Sequence, residues 1–206
     1  MANICLREGT HICSDEIHCD LVYDGHTHIP IASLAPEVAQ RTITLMAPSK
    51  TFNLAGLQCS FAVIQNEPLR KRFKSAARGL IAHMNQLGCT AAVAAYGEGQ
   101  KWLDELLEYL TANRDTTLAY IREHMPSIRV SAPEGTYLAW LDCTGDPTLS
   151  RPYQFFLKQA HVALSDGVPF GAPGQGHVRL NFGCRRELLL EALNRMHAAL
   201  ERAHAT

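Results

Sequence analysis

The spacing of apolar and polar positions divides the chain into short strands, punctuated loops and a few helices. Ile4, Cys5 and Leu6 fit the end of an amphipathic helix stopped at Gly9, and a strand follows through Ile12 and Cys13, so the chain opens inside an α/β unit. Two further runs, TITLM at 42–46 and SFAVI at 60–64, read as strands, and the polar, glycine-bearing stretch at 47–58 reads as a functional loop between them. From Pro68 the period becomes helical. Residues 100–125 carry Trp102, Leu103, Leu106, Leu107, Leu110, Leu118 and Ile121 at helical spacing, which predicts one long helix ending before Pro126. Strands are then expected near 128–131 and 136–142, a helix near 153–160, strands at 162–165 and 177–182, and a final helix from about Arg186. Strands and helices alternating after one long helix predict a second, small α/β domain.

Composition narrows the class. The chain has 206 residues, 47% of them hydrophobic and 19% charged, which suits a folded globular core and argues against disorder. Lysine and arginine number 19 against 20 acidic residues, so the formal charge of -1 gives no electrostatic reason to expect nucleic acid or an anionic membrane as a partner. The apolar runs fall short of the roughly 20 residues that span a bilayer, and no basic segment precedes an apolar one at the N-terminus. A cytoplasmic protein is expected. The seven cysteines, Cys5, Cys13, Cys19, Cys59, Cys89, Cys143 and Cys184, are odd in number and never spaced as CxxC. That pattern fits neither a disulfide framework nor a zinc ribbon, and most are expected to be small buried apolar residues.

Three local patterns carry candidate chemistry. In SDEIHCDLVY, Asp15 ends an expected buried strand and His18 follows three residues later. PSKTFNLAGLQ surrounds Lys50, with Ser49 before it, and HVRLNFG surrounds Arg179. Taken singly, Asp15 reads equally as a helix cap or ion-pair member, Lys50 as a solvated loop lysine, and Arg179 as a surface arginine. Strand alternation puts Val178, Leu180 and Phe182 on one face and Arg179 with Asn181 on the other.

In this order and at these separations, the three patterns resemble the second half of fold-type I pyridoxal-phosphate enzymes of the class I/II aminotransferase superfamily. The resemblance covers essentially the whole chain. It implies an α/β fold in which residues 1–97 are the C-terminal part of a large cofactor-binding domain, and 98–206 are an interdomain helix and a small C-terminal domain. It also implies that Lys50 is the Schiff-base lysine, that Asp15 pairs with the pyridine nitrogen, that Ser49 and His18 contact the cofactor, and that Arg179 grips the substrate carboxylate. Pyridoxal 5'-phosphate is the implied cofactor, an amino acid the implied small-molecule substrate, and a homodimer the implied full-length assembly. The chemistry is coherent: a carboxylate beside the ring nitrogen keeps it protonated, a lysine can move the Cα proton, and a planar guanidinium fork suits an α-carboxylate.

Departures from the common aminotransferase pattern point to a branch. His18 stands where a tyrosine is typical, Gln58 where a phosphate-binding arginine is typical, and Ala47 where a serine is frequent. DEIHCDLV together with PSKTFNLAGLQ most resembles cystathionine β-lyases and cysteine-S-conjugate β-lyases, which implies cleavage of an L-cysteine S-conjugate to pyruvate, ammonia and a thiol. His18 could tune the cofactor's phenolic oxygen or be merely structural. Family members are roughly twice this length, so the isolated chain is expected to bind the cofactor poorly. An aminotransferase, and an inactive truncated chain acting as an interaction module, are the competing readings. Asp24, His26 and His28 lack a clear further ligand and read as loop residues rather than a metal site. The glycines from Gly171 to Gly176 precede a strand, whereas a phosphate loop precedes a helix, so they read as a turn into the Arg179 strand. The apolar stripe of the long helix reads as an interdomain packing face.

Overall fold

A computed structural model describes residues 1–81 and 84–205. They form two compact units, Met1–Glu105 and Leu106–Thr206. The first opens with α1 (Ala2–Arg7), which ends where Gly9 takes a φ of +67°, a left-handed conformation that costs glycine nothing. The next strand, β1 (Ile12–Asp15), pairs in parallel with β2 (Thr42–Met46), Ile12 opposite Thr42 and Asp15 opposite Leu45. The short helix α2 (Pro36–Ala39) feeds into β2, and the Thr42 hydroxyl donates to the Val38 carbonyl at 2.8 Å. On the other side β3 (Phe61–Val63) is antiparallel to β2, giving the order β1-β2-β3.

Helices α3 (Glu67–Ala77) and α4 (Gln86–Glu98) complete this unit. Each starts at an asparagine whose side-chain oxygen accepts an otherwise orphaned amide: Asn66 from Leu69 at 2.9 Å, Asn85 from Gly88 at 2.7 Å. The expectation that Asp15 ends a buried strand needs correction. Among the described residues only Ile12 of β1 is buried, and Cys13 and Asp15 are exposed.

The long helix α5 (Gln100–His124) runs through the division between the units. Of its expected apolar stripe, Leu103, Leu110, Leu118 and Ile121 are buried and Trp102 is exposed. The second unit's sheet contains β4 (Arg129–Val130), β5 (Leu138–Asp142), β6 (Ser165–Asp166) and β7 (His177–Asn181), antiparallel in the order β4-β5-β7-β6. Ala139, Leu141, Val178 and Leu180 fill one face, which buries β5 and β7 by strict alternation. The last helix, α7 (Arg186–His204), buries Leu189, Leu193, Met196, Ala199 and Leu200, a stripe at spacings of three and four.

Two element boundaries differ from those the sequence predicts. The strand expected at 162–165 forms only at 165–166, where Ser165 pairs with Arg179 and Asp166 with Val178. The helix expected near 153–160 is α6 (Pro152–Phe155) followed by a wider π-turn, Phe156–Ala160, which ends at His161 with φ +55°. The expectation that most cysteines are buried is also overturned: Cys59 and Cys143 are buried, Cys13 is exposed and the other four lie between. At Cys143, burial with Asp142 and Asp146 nearby pushes the thiol up to about 12, so it stays protonated.

One buried polar residue ties this unit together. Asn113, on α5, is fully buried; its amide donates to the Phe182 and Cys184 carbonyls at 2.9 and 2.8 Å, and its oxygen accepts from Arg186 Nε at 3.0 Å. It therefore fixes the passage from β7 into α7. Asn113→Ala would strand two carbonyls and a guanidinium N–H, at a cost of about 2–4 kcal/mol. Urea unfolding followed by Trp140 fluorescence should register this loss, and a change below about 0.5 kcal/mol would mean that water replaces the amide.

Candidate functional site

Parallel pairing of β1 with β2 places the carboxyl ends of both strands at one edge of the sheet, where open α/β sheets bind ligands. Asp15 is the last residue of β1, and its Oδ1 accepts the Ile17 amide at 3.3 Å. The chain then folds into a tight turn, with Cys19 N–H donating to the Glu16 carbonyl and Leu21 N–H to that of His18, both at 3.0 Å. His18 lies half-buried in this turn. At the end of β2, Phe52 N–H donates to the Pro48 carbonyl at 2.9 Å and Leu54 N–H to that of Ser49 at 3.1 Å. Ser49 and Lys50 are thereby held on a closed turn, both half-buried. The Lys50 ammonium has no hydrogen bond or ion pair among the described residues.

Two residues absent from the sequence-based site lock these loops together. Thr51 is fully buried, and its hydroxyl donates to Asp20 Oδ2 at 2.7 Å. The turn carrying Lys50 is thus tied to the turn after Asp15. Phe52, next along, packs edge-on against Tyr96 at 5.6 Å and near Trp102 at 5.9 Å. A Cβ on Gly99 would come within 2.6 Å of the Phe52 ring, so this close fit requires glycine. Burial, with Asp20, Cys19 and Cys59 nearby, pushes the Tyr96 phenol up to about 12, and burial beside Asp20 pushes the Cys19 thiol to about 11. Both are neutral at ordinary pH, which makes Cys19 a poor nucleophile.

The stretch weighed as a metal cluster has another use for His28. Its Nε2 lies 2.9 Å from Glu16 Oε2, while Glu16 Oε1 accepts the Ser14 hydroxyl at 2.9 Å and the Ile31 amide at 3.2 Å. Burial raises the Glu16 carboxyl, but these hydrogen bonds and the His28 imidazole outweigh it and hold the group below its ordinary value.

Arg179 belongs to the second unit. It sits on β7 directly opposite Trp140 of β5 and Ser165 of β6. Its Nε is buried with no hydrogen-bond acceptor among the described residues, and its Nη2 is 3.5 Å from Ser165 Oγ, the outer limit of such a bond. A buried guanidinium N–H calls for an acceptor, and a carboxylate matches its planar fork. The glycine-rich segment before it forms two short helical turns, Val168–Phe170 and Ala172–Gly174, and leads into β7.

The sequence matches the family aminotransferase class I and II over residues 1–196. The chain belongs to that family. It is 39% identical over 205 residues to cystathionine beta-lyase PatB of Bacillus subtilis, covering 97% of this chain and 52% of that protein. An aspartate aminotransferase of Pyrococcus horikoshii is 28% identical, with 98% and 51% covered. The crystal structure of cystalysin from Treponema denticola, which contains pyridoxal 5'-phosphate, superposes with a TM-score of 0.92 at 32% identity, covering 98% of this chain and 52% of that one. The chain spans about half the length of the relatives it matches. Its α/β fold is accordingly that of part of a pyridoxal-phosphate-dependent aminotransferase-family enzyme.

The Glu16 cluster yields a pH prediction. A carboxyl held low in the folded state stabilises the fold above its unfolded pKa, and that contribution disappears as pH falls through the lower folded value. The Ile31 amide proton, bonded to Glu16, should therefore shift with an inflection below about pH 4.3, the reference for glutamate. Glu16→Gln should abolish the inflection, and an inflection above that reference would show that burial dominates.

Proposed function

We propose that the chain forms the C-terminal half of a pyridoxal-phosphate-dependent carbon–sulfur β-lyase acting on cystathionine or another L-cysteine S-conjugate. The observation that carries this reading is the unspent charge at the predicted positions: among the described residues the Lys50 ammonium has no partner on its closed turn, Asp15 accepts one long amide bond, and Arg179 Nε is buried without an acceptor. A phosphorylated pyridine aldehyde and an amino acid would use all three. The lyase branch is favoured because identity to the B. subtilis cystathionine β-lyase, 39%, exceeds the 28% to the aspartate aminotransferase.

Bound pyridoxal phosphate supplies an electron sink for negative charge at the substrate Cα. Asp15 would sustain it by keeping a proton on the ring nitrogen. Lys50 would hold the cofactor through its aldehyde carbon and would serve as the base that moves the substrate Cα proton. Ser49, on the same turn, would donate its hydroxyl to the cofactor, and His18, in the turn after Asp15, would tune its phenolic oxygen. Arg179 would present a planar fork to the α-carboxylate of an amino acid. Loss of the Cα proton and of the Cβ thiolate, with uptake of one water, would account for pyruvate, ammonia and a thiol as products.

Residues 1–97 are assigned on this reading to the large domain, and 98–206 to the connecting helix and small domain. A homodimer in the cytoplasm is the expected working form. Among the described residues, no helix is long and apolar enough to cross a membrane.

The test uses the complete protein that carries this chain. With cystathionine it should release pyruvate, ammonia and thiol in equal amounts without an added keto acid. Product that forms only with 2-oxoglutarate present would replace the lyase with an aminotransferase. Borohydride reduction of the cofactor-bound protein should attach a pyridoxyl group to Lys50 alone, and labelling at Lys71, Lys74, Lys101 or Lys158 instead would overturn the site.

A further inference from the structure

Phe170, the last residue of the short helical turn Val168–Phe170, is a large apolar side chain left 53% exposed. The Arg179 Cζ nonetheless lies 4.9 Å from the centre of the Phe170 ring, within the range of a cation–π contact. The ring is held in turn by Trp140, edge-to-face at 5.4 Å and 85°. Trp140 stacks on His177 at 5.5 Å and 19°, and His177 is fixed through Nδ1 by the Gln175 carbonyl at 2.8 Å. The Phe170 ring is thus in contact with both the Arg179 guanidinium and Trp140, which stands opposite Arg179 on β5, while Ser165 stands opposite Arg179 on β6.

The loop carrying Phe170 is built for position. A Cβ on Gly167 would lie 2.2 Å from the Gly174 carbonyl oxygen, and one on Gly174 would lie 1.9 Å from that of Gly167, so the backbones touch where no side chain fits. Gly167 N–H donates to the His177 carbonyl at 3.0 Å and Phe170 N–H to that of Gly167 at 2.9 Å. Gly171, next to Phe170, takes a φ of +101°, which a residue with a Cβ rarely adopts. These contacts hold a half-exposed aromatic ring rigidly over the guanidinium.

We propose that Phe170 is a positioning residue for Arg179: its ring fixes the guanidinium plane and keeps water from it, so that the unpartnered Nε and its neighbouring Nη present a preformed fork to a carboxylate. This rests on the reading of Arg179 as the carboxylate-binding arginine. A fork already oriented and partly desolvated loses less freedom on binding, so the effect appears in substrate affinity more than in the chemical step.

The test is a double-mutant cycle in the complete protein, using whichever amino acid it turns over. Phe170→Leu should raise KM roughly three- to thirty-fold, the range of a cation–π contact, and by more than it lowers kcat. Phe170→Tyr should restore KM to within about two-fold of the wild type. In an Arg179→Ala background, Phe170→Leu should add less than about two-fold, because its effect passes through the guanidinium. An equal rise in both backgrounds, or none in either, overturns the proposal. A second measurement does not depend on catalysis: the Arg179 Nε–H resonance of the 206-residue chain, titrated with acetate, should report weaker binding in Phe170→Leu than in the wild type. Equal acetate affinity would overturn the role of Phe170 even if the protein proved inactive on amino acids, whereas weaker affinity in an inactive protein would sustain it and reject the lyase reading.

Discussion

Parallel pairing of two short strands governs what the first unit can do. An antiparallel pair would send the ends of β1 and β2 to opposite edges of the sheet, whereas the parallel register, with Asp15 beside Leu45, delivers an acidic residue and a lysine-bearing turn to the same edge. Everything beyond the strand ends refines that placement. The Thr51 bond to Asp20 couples the two turns, and the Phe52 contacts with Tyr96 and Trp102 anchor the far side of the lysine turn. The site in this unit is thus a property of chain direction first and of side-chain chemistry second.

The second unit solves a different problem. Its sheet is antiparallel, one face is filled by alternate apolar residues, and the other carries Trp140, Arg179 and Ser165 in one row. An arginine in such a row is held by its neighbours rather than by ion pairs. Asn113 supplies the rigidity behind it, joining the strand exit to the helix that follows through three hydrogen bonds from one buried amide.

Much of this was legible in the sequence. The strand at Thr42–Met46, the long helix and the alternation around Arg179 carry periodic patterns strong enough to place them directly. Asp15, Lys50 and Arg179 stand out as candidates only because three weak motifs occur in one order, since each residue alone has an ordinary structural reading. What stayed hidden is what depends on pairing across distance. Asp20 and Thr51 are 31 residues apart and Asn113 reaches carbonyls 69 and 71 residues away, and no local pattern marks a polar residue for burial. Glu16 adjoins a motif residue, but its partner His28 lies in a loop whose histidines look solvated in isolation. The exposure of Asp15 was invisible for the opposite reason: an apolar run predicts burial without saying whether anything lies alongside to provide it.

The contact between the Gly167 and Gly174 backbones has an evolutionary consequence. Two main chains in contact leave no side chain through which the fit can be adjusted, so substitution at either position has no graded alternatives. An insertion or deletion between them would shift Phe170 by up to about 3.4 Å for each residue of extended chain, carrying the ring off the guanidinium. Drift in this loop should therefore be tightly bounded in length while its solvent-facing positions, such as Pro169 and Ala172, remain free to vary.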